Sequence, residues 1–270
     1  RKRFKAYLQR AVFYNVTGRT HEGLLGQVFA QDPVVELPTT LQQYKDDLDG
    51  AGTSLEQQSK RALGLVLAHG RCGLLADFPS IEEGRVATLA DVQSGLIRPR
   101  VFPIHAKDII NWRVTVVGGQ TLLTLLVIAE MAVIVDDGFE LKSEPRWREI
   151  RLQPINEEAS QFQVEVTVWR KKDKSSGDED EFEIAQGPFL IQDYRGQPFN
   201  RIPFQFVGAV NNDPEIDKSP LLDLANLNLA HYRNSADYEE SCFMVGQPTP
   251  YFTGLTEDWI SDVWKGKVVL

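Results

Sequence analysis

The sequence predicts an α+β fold with a helical N-terminal part, an antiparallel β-rich body and a long C-terminal helix. Apolar residues repeat at helical spacing in residues 1–70, and the same spacing returns in the last segment, residues 211–270. Between them, residues 71–210 are rich in β-branched and aromatic side chains, and the stretch QFQVEVTVWR alternates cleanly between apolar and polar residues. The hydrophobic content of 42% is enough to bury a core.

The N-terminal segment carries signals for both ends of one helix. In TSLEQQSKRALGLVLAHG, Thr53 or Ser54 is placed to cap the first turn, with Glu56 or Gln57 three residues later, the spacing of a capping box. Gly70 follows the last apolar repeat and predicts the C-terminal end of this helix. Earlier helices are predicted in RKRFKAYLQRAVFYNVTG and in HEGLLGQVFA.

The β-rich body contains one long apolar run that could form either a buried strand or a membrane-spanning helix. The run TLLTLLVIAEMAVIV, Thr121–Val135, is shorter than the roughly 20 residues of a membrane helix, and Glu130 interrupts it. It therefore predicts one or two buried strands and no membrane contact. The strand-like segment before it contains DIINWR, where Trp112 is a candidate core residue, and the turn between the two is predicted at Gly118-Gly119.

The stretch SPLLDLANLNLAHYRNSADYEES predicts a long amphipathic helix. Ser219 is its predicted N-cap, a candidate structural residue, and Pro220 its first helical residue. The predicted packing seam is formed by residues three and four positions apart, namely Leu222, Ala225, Leu229 and Tyr232. The opposite face is polar, and its candidate subunit-interface residues are Asn226, Arg233, Asn234 and Asp237. A short strand at YFTGL and a last helix at TEDWISDVW are predicted to follow.

The sequence contains no motif that predicts a nucleotide, cofactor or metal site. No GxGxxG or GxxxxGK[ST] loop is present, and the four histidines are scattered without HxH or HxxxH spacing. His231 and Ser235 share one helix face, which keeps a hydrolase as an alternative. A serine in the middle of a helix, however, has no free backbone N–H groups beside it to stabilise an oxyanion. We therefore expect no catalytic, cofactor-binding or metal-binding residues and no enzyme activity.

The net charge and the cysteine content argue against a tight nucleic-acid-binding protein and against a disulfide-rich secreted protein. The formal net charge is −9, whereas proteins that grip nucleic acid through its phosphates usually have a basic excess. Cys72 and Cys242 lie far apart, so we expect two buried free thiols in a reducing compartment. The chain does not begin with Met and ends on KVVL, from which we expect a fragment of a longer protein.

The segment NRIPFQFVGAVNNDPEIDKSPLLDLANLNLAHYRNSADYEESCFMVGQPTPYFTGL, Asn200–Leu255, resembles tailed-bacteriophage portal proteins. It is most similar to the podovirus-type branch long classed as a phage domain of unknown function, and LLDLANLNLAHYRNSADYEE is its most specific part. Three other segments fit the resemblance: AVFYNVTGRTHEGLLGQVF (Ala11–Phe29), DIINWR (Asp108–Arg113) and GQPFNRIPF (Gly196–Phe204).

The resemblance implies a structural subunit of a dodecameric ring at one capsid vertex. Through such a ring DNA is packaged and ejected with non-specific contacts, and the packaging ATPase (terminase), capsid proteins and tail or adaptor proteins dock on it. The protein would belong to the virion and assemble in the host cytoplasm. Its family's stem, clip and channel-lining loops are expected beyond Leu270, so this chain corresponds to the wing. The alternatives are a non-enzymatic phage head adaptor or scaffold module, or a phage hydrolase that uses His231 and Ser235.

Overall fold

Two units make up the chain in the computed structural model, one formed by Arg1–Thr17 with Leu224–Leu270 and the other by Gly18–Asp223. The structure describes residues 2–77, 98–156, 161–172, 181–193, 196–246, 253–254 and 256–265. N-terminal helices, antiparallel sheets and a long C-terminal helix follow one another along the chain, so the predicted α+β fold class is confirmed. Within the described ranges, no helix combines the length and apolarity needed to cross a membrane.

The described helices lie at both ends of the chain. Their bounds are α1 Lys2–Arg10, α2 Val16–Val28, α3 Gln43–Asp46, α4 Leu55–His69, α5 Leu222–Gly246 and α6 Glu257–Trp264. Helix α4 begins with a capping box, in which the Ser54 hydroxyl accepts from the backbone N–H of Gln57 at 3.2 Å and the Gln57 side chain accepts from the backbone N–H of Ser54 at 3.1 Å. Of the two caps that the sequence allowed, Ser54 is the one used.

The C-terminal end of α4 is closed by residues distant in sequence. Gly70 adopts a left-handed conformation with φ of 83°, and a Cβ at this position would clash with the carbonyl oxygen of Asp217. The hydroxyl of Ser219 donates to the carbonyl oxygens of Leu67 at 3.2 Å and Ala68 at 2.9 Å. These carbonyls belong to the last turn of α4, where no intrahelical donor remains.

The predicted N-cap role of Ser219 is therefore wrong. Helix α5 begins at Leu222, whose backbone N–H donates to the carbonyl oxygen of Ser219, three residues before the helix starts. The half-buried Ser219 side chain closes α4 instead. A serine followed by proline marks a helix start in sequence, but the open carbonyls of α4 compete for the same hydroxyl group.

Two antiparallel sheets form the body of the larger unit. The strands are β1 Arg71–Asp77, β2 Arg100–His105, β3 Ile109–Val117, β4 Gln120–Asp136, β5 Leu141–Pro154, β6 Phe162–Lys171, β7 Phe182–Ile191 and β8 Phe204–Gly208. The smaller sheet has the order β2-β1-β8, and the larger is a meander with the order β3-β4-β5-β6-β7. The strand predicted at YFTGL falls on residues 251–255, most of which lie outside the described ranges.

An apolar layer between the two sheets forms the main core. Leu126 and Val164 of the larger sheet are fully buried and belong to one cluster with Leu75 and Phe206 of the smaller sheet. Trp112, a candidate core residue, is half-buried, packs against this cluster and meets the Phe206 ring edge to face at 6.0 Å. In β6 the apolar Val164 and Val168 are buried as the alternation predicts, but the polar Thr167 is buried too, where the pairing of β6 with β7 shifts register.

Strands β4 and β5 extend beyond the rest of the larger sheet. The pairing of β3 with β4 ends at Ile128, and the pairing of β6 with β5 ends at Arg146. From Met131 to Pro145 the two strands pair with each other, from the pair Met131↔Pro145 to the pair Asp136↔Leu141. We refer to Met131–Pro145 as the β4–β5 ribbon. The run predicted as one or two buried strands is therefore a single strand whose distal part is exposed.

The two cysteines differ sharply in exposure, which yields a chemical prediction. Cys72 is fully buried, and burial raises the pKa of its thiol to about 11. Cys242 is exposed, so the expectation of two buried thiols is wrong for Cys242. Because the thiolate is the reactive form, we expect one fast-reacting thiol per native chain with Ellman's reagent at pH 8 and two after denaturation. The variant Cys242→Ser should show none before denaturation. Fast reaction of both thiols in the native protein would contradict the packing of β1 against α4.

Candidate functional site

A buried asparagine anchors α5, the helix that carries most of the predicted functional residues. Asn228 is 5% exposed, and its Nδ2 donates to the carbonyl oxygen of Tyr14 at 2.9 Å. Its Oδ1 accepts from the backbone N–H of Thr17 at 3.1 Å and from the Thr17 hydroxyl at 3.2 Å. Buried polar groups cost free energy unless they are hydrogen-bonded, and these three bonds satisfy the amide. Asn228 therefore ties the segment after α1 to α5 within the smaller unit.

Charged and aromatic contacts continue along the same pair of helices. The Tyr7 hydroxyl donates to a carboxylate oxygen of Asp237 at 2.9 Å, and this hydrogen bond raises the pKa of Tyr7. One turn further along α1, Arg10 pairs with Glu240, and its guanidinium carbon lies 4.1 Å from the centre of the Phe243 ring. Such contacts fix the register of α1 on α5.

The predicted packing seam of α5 is wrong at two of its positions. Leu222 is 43% exposed and Leu229 is 48% exposed, whereas the buried residues of this helix are Asn228 and Ala236. The buried face is thus rotated by about one residue from the predicted one. A hydrophobicity pattern assigns an asparagine to solvent and the adjacent leucine to the core, and here the hydrogen bonds of Asn228 reverse that assignment.

The remaining seam residues lie at the border of the buried face. Ala225 and Tyr232 are half-buried, and the Tyr232 ring meets the Phe13 ring edge to face at 5.5 Å. Sequence analysis did not single out Asn228, although it lies three residues after Ala225 and four before Tyr232, on the same helix face. A polar residue on the face of α5 opposite its solvated side requires a partner, but spacing does not show which one.

The predicted subunit-interface face is largely free for contacts. Asn226, Arg233 and Asn234 are exposed, and their side chains form no hydrogen bond or ion pair with the residues that the structure describes. Asp237 is also exposed, but its carboxylate already accepts the hydrogen bond from Tyr7. Three of the four predicted residues therefore present unused polar groups, and the fourth contributes to the packing of α1.

The side chains of the alternative hydrolase site are not hydrogen-bonded to each other. His231 is exposed and Ser235 is half-buried, and the hydrogen bonds of the described residues include none between their side chains. Across the described ranges, no group of three or more His, Cys, Asp or Glu side chains is arranged to hold a metal ion.

A second feature, in the larger unit, was not predicted from sequence. A cleft of about 610 Å³ lies where the two sheets meet, and we refer to it as the inter-sheet cleft. Its apolar wall includes Phe102, Ile128 and Phe189, and its lining also includes the exposed Arg61 of α4 and the half-buried Arg100 of β2. Among the described residues, neither Arg61 nor Arg100 has a side-chain hydrogen bond or ion pair. The residues come from distant parts of the sequence, so no local pattern indicates them.

An ion-pair network forms part of the lining of the inter-sheet cleft. Arg148 pairs with Asp77 of the smaller sheet and with Glu130 of the larger one, the latter at 3.1 Å. Burial alone would lower the pKa of Arg148, but the two carboxylates outweigh it and raise that pKa. The Arg148 guanidinium therefore remains charged and joins the two sheets where the apolar layer ends.

Comparison with known families points to bacteriophage. The model of a domain of unknown function (DUF4055) matches residues 220–264, which contain both α5 and α6. This family is phage-associated, so the match is consistent with a phage structural protein. No curated protein matches the chain. The matched segment includes Asn228 and the exposed polar face of α5.

The hydrogen bonds of Asn228 predict a large difference between two neighbouring asparagines. Replacing Asn228 with Ala leaves the N–H of Thr17 without an acceptor and removes one of the two hydrogen bonds to the Tyr14 carbonyl, which keeps the bond from the Val16 N–H. This should lower the free energy of unfolding by about 2 kcal/mol. The matched control is Asn226→Ala on the exposed face of the same helix, with an expected change within about 0.5 kcal/mol. Urea denaturation followed by circular dichroism measures both, and equal effects would contradict the anchoring role.

Proposed function

We propose that the chain is a structural, non-enzymatic subunit of a bacteriophage portal ring. In this role DNA passes through the ring into and out of the capsid, and the packaging ATPase and tail or adaptor proteins dock on it. The observation that carries the proposal is the match of residues 220–264 to a phage-associated family, together with the resemblance of the flanking segments to portal proteins. The protein is accordingly proposed to reside in the virion after assembly in the host cytoplasm.

The surface of the smaller unit supports a role in assembly. Large apolar side chains stand exposed on α1 and α5, including Phe4 at 63%, Leu227 at 65%, Tyr238 at 68% and Val245 at 84%. Exposed apolar groups of this number, beside unused polar groups, are typical of surfaces that meet other proteins. A ring of identical subunits requires two different complementary surfaces on each copy, because its contacts are head-to-tail.

The net negative charge of the chain also suits a channel that DNA passes through better than a surface that binds DNA tightly. With 38 acidic and 29 basic residues, the protein repels phosphate on average. A ring through which DNA moves must not retain it, because each phosphate neutralised by Lys or Arg adds salt-dependent affinity. We therefore propose transient and non-specific contact with DNA.

Electron microscopy tests the ring directly. Negative-stain images of the purified full-length protein under assembly conditions should show closed rings, and Arg233→Glu should reduce their number because it reverses a charge on the proposed interface. Arg113→Glu, the same change at an exposed position of β3, serves as the control. A full-length protein that stays monomeric at all concentrations would contradict the portal proposal. Rings unaffected by Arg233→Glu would contradict only the assignment of this interface residue.

A further inference from the structure

The β4–β5 ribbon is an arm that is exposed to solvent on both faces along most of its length. Its two strands pair only with each other beyond the pairing of β3 and β6. The exposed apolar side chains along it are Met131 (65%), Val133 (55%), Ile134 (48%), Val135 (46%), Phe139 (103%) and Leu141 (62%). Because neighbouring strand residues point to opposite faces, both faces of the ribbon are apolar. A two-stranded ribbon is only marginally stable alone in water, so this arm needs a partner surface.

The tip of the ribbon presents an aromatic ring surrounded by acids. The Asp137 carboxylate accepts from the backbone N–H groups of Phe139 at 2.9 Å and Glu140 at 2.6 Å. These hydrogen bonds hold the turn that projects the Phe139 ring into solvent. Lys142 pairs with Glu140 at 3.4 Å across the exposed tip, and Asp136 and Asp137 leave the tip with a net negative charge.

The inter-sheet cleft has the complementary chemistry. Its lining contains three arginines and three carboxylates, but Asp77 and Glu130 are both held by Arg148. The other charged residues of the lining are two arginines, Arg61 and Arg100, and one carboxylate, Asp108. The lining outside the Arg148 network therefore carries a net positive charge. An apolar wall beneath two unpaired arginines fits an aromatic ring flanked by carboxylates.

A chain cannot place its tip in its own cleft. Glu130 lines the cleft and Phe139 lies nine residues further along, a separation of up to about 30 Å along an extended strand. Most of that length is paired in register with β5 and therefore directed away from the cleft. A ribbon tip that occupies the cleft therefore comes from another copy of the chain.

We propose that the ribbon tip of one copy docks in the inter-sheet cleft of the next copy. Phe139 packs on the apolar wall, and Glu140 lies beside Arg61 with Asp136 near Arg100. The contact joins two different surfaces, so repeating it gives a ring when the rotation closes and a filament when it does not. The proposal rests on the portal-ring function and assigns one of its subunit contacts.

Cross-linking tests whether the two surfaces meet. In a Cys242→Ser background, in which the buried Cys72 is protected, the pair Leu141→Cys and Gln186→Cys should form ladders of covalent oligomers with a short bis-maleimide, because these exposed positions lie at the tip and in the cleft lining and leave Phe139 and Arg61 in place. The control pairs Val34→Cys, 92% exposed outside the cleft, with Leu141→Cys and should give no ladder. Mixing the two single-cysteine variants should give dimers only.

The outcomes separate this contact from the portal function. Rings that form without a cross-link between the substituted positions of the tip and the cleft would overturn the docking and leave the portal proposal intact. Linked copies in open chains without rings would support the docking and contradict the portal ring. The absence of both would contradict both proposals.

A charge exchange tests the electrostatic part of the contact. Glu140→Lys should weaken association of the copies about tenfold in analytical ultracentrifugation, and Arg61→Glu should do the same. The double variant should recover most of the lost affinity, because the pair is restored with reversed sign. Both positions are exposed, so folding should not change, and circular dichroism checks this. Additive losses in the double variant would overturn the pairing of Glu140 with Arg61.

Discussion

The apolar layer between the two sheets sets the arrangement of the whole β-rich unit. It is continuous from Leu152 and Val164 to Ile128, where both sheets contribute side chains. Beyond Ile128 the smaller sheet no longer covers the larger one, and the Arg148 network takes the place of apolar packing. The end of this layer therefore produces two features together: a cleft with charged groups in its lining, and a ribbon that continues without cover. Both follow from β4 and β5 being longer than the strands around them.

Sequence reasoning succeeded where local chemistry decides the structure. The capping box at Ser54, the left-handed Gly70 and the alternation in β6 each depend on residues within a few positions of one another. The α+β fold class follows from the same local patterns. Residues that act across long separations were missed or misassigned. Ser219 bonds to a carbonyl of α4 that lies 151 residues earlier, and strand β1 is completed by β8 from the far end of the body.

The burial of α5 shows why a hydrophobic pattern can select the wrong face. Leucines alternate with polar residues in LANLNLAHY, so two faces compete with nearly equal apolar content. The hydrogen bonds that Asn228 forms with Tyr14 and Thr17 decide between them. A satisfied buried amide contributes little net free energy, but an unsatisfied one is costly, so it selects one rotation of the helix. The leucines that the pattern placed in the core are left on the surface, available to other molecules.

The free energies of its two components indicate which part of the ribbon contact supplies affinity and which supplies specificity. Surface ion pairs such as Glu140 with Arg61 are worth about 0–1 kcal/mol, whereas full burial of a phenylalanine side chain contributes roughly 1.5–3 kcal/mol. Phe139 is therefore the anchor, and the charges select the cleft over other apolar surfaces. Copies with a net charge of −9 repel one another at long range, and salt screens that repulsion more than it screens a pair within a desolvated contact. A locally positive cleft lining on an otherwise acidic protein gives the acidic tip one favourable place to dock.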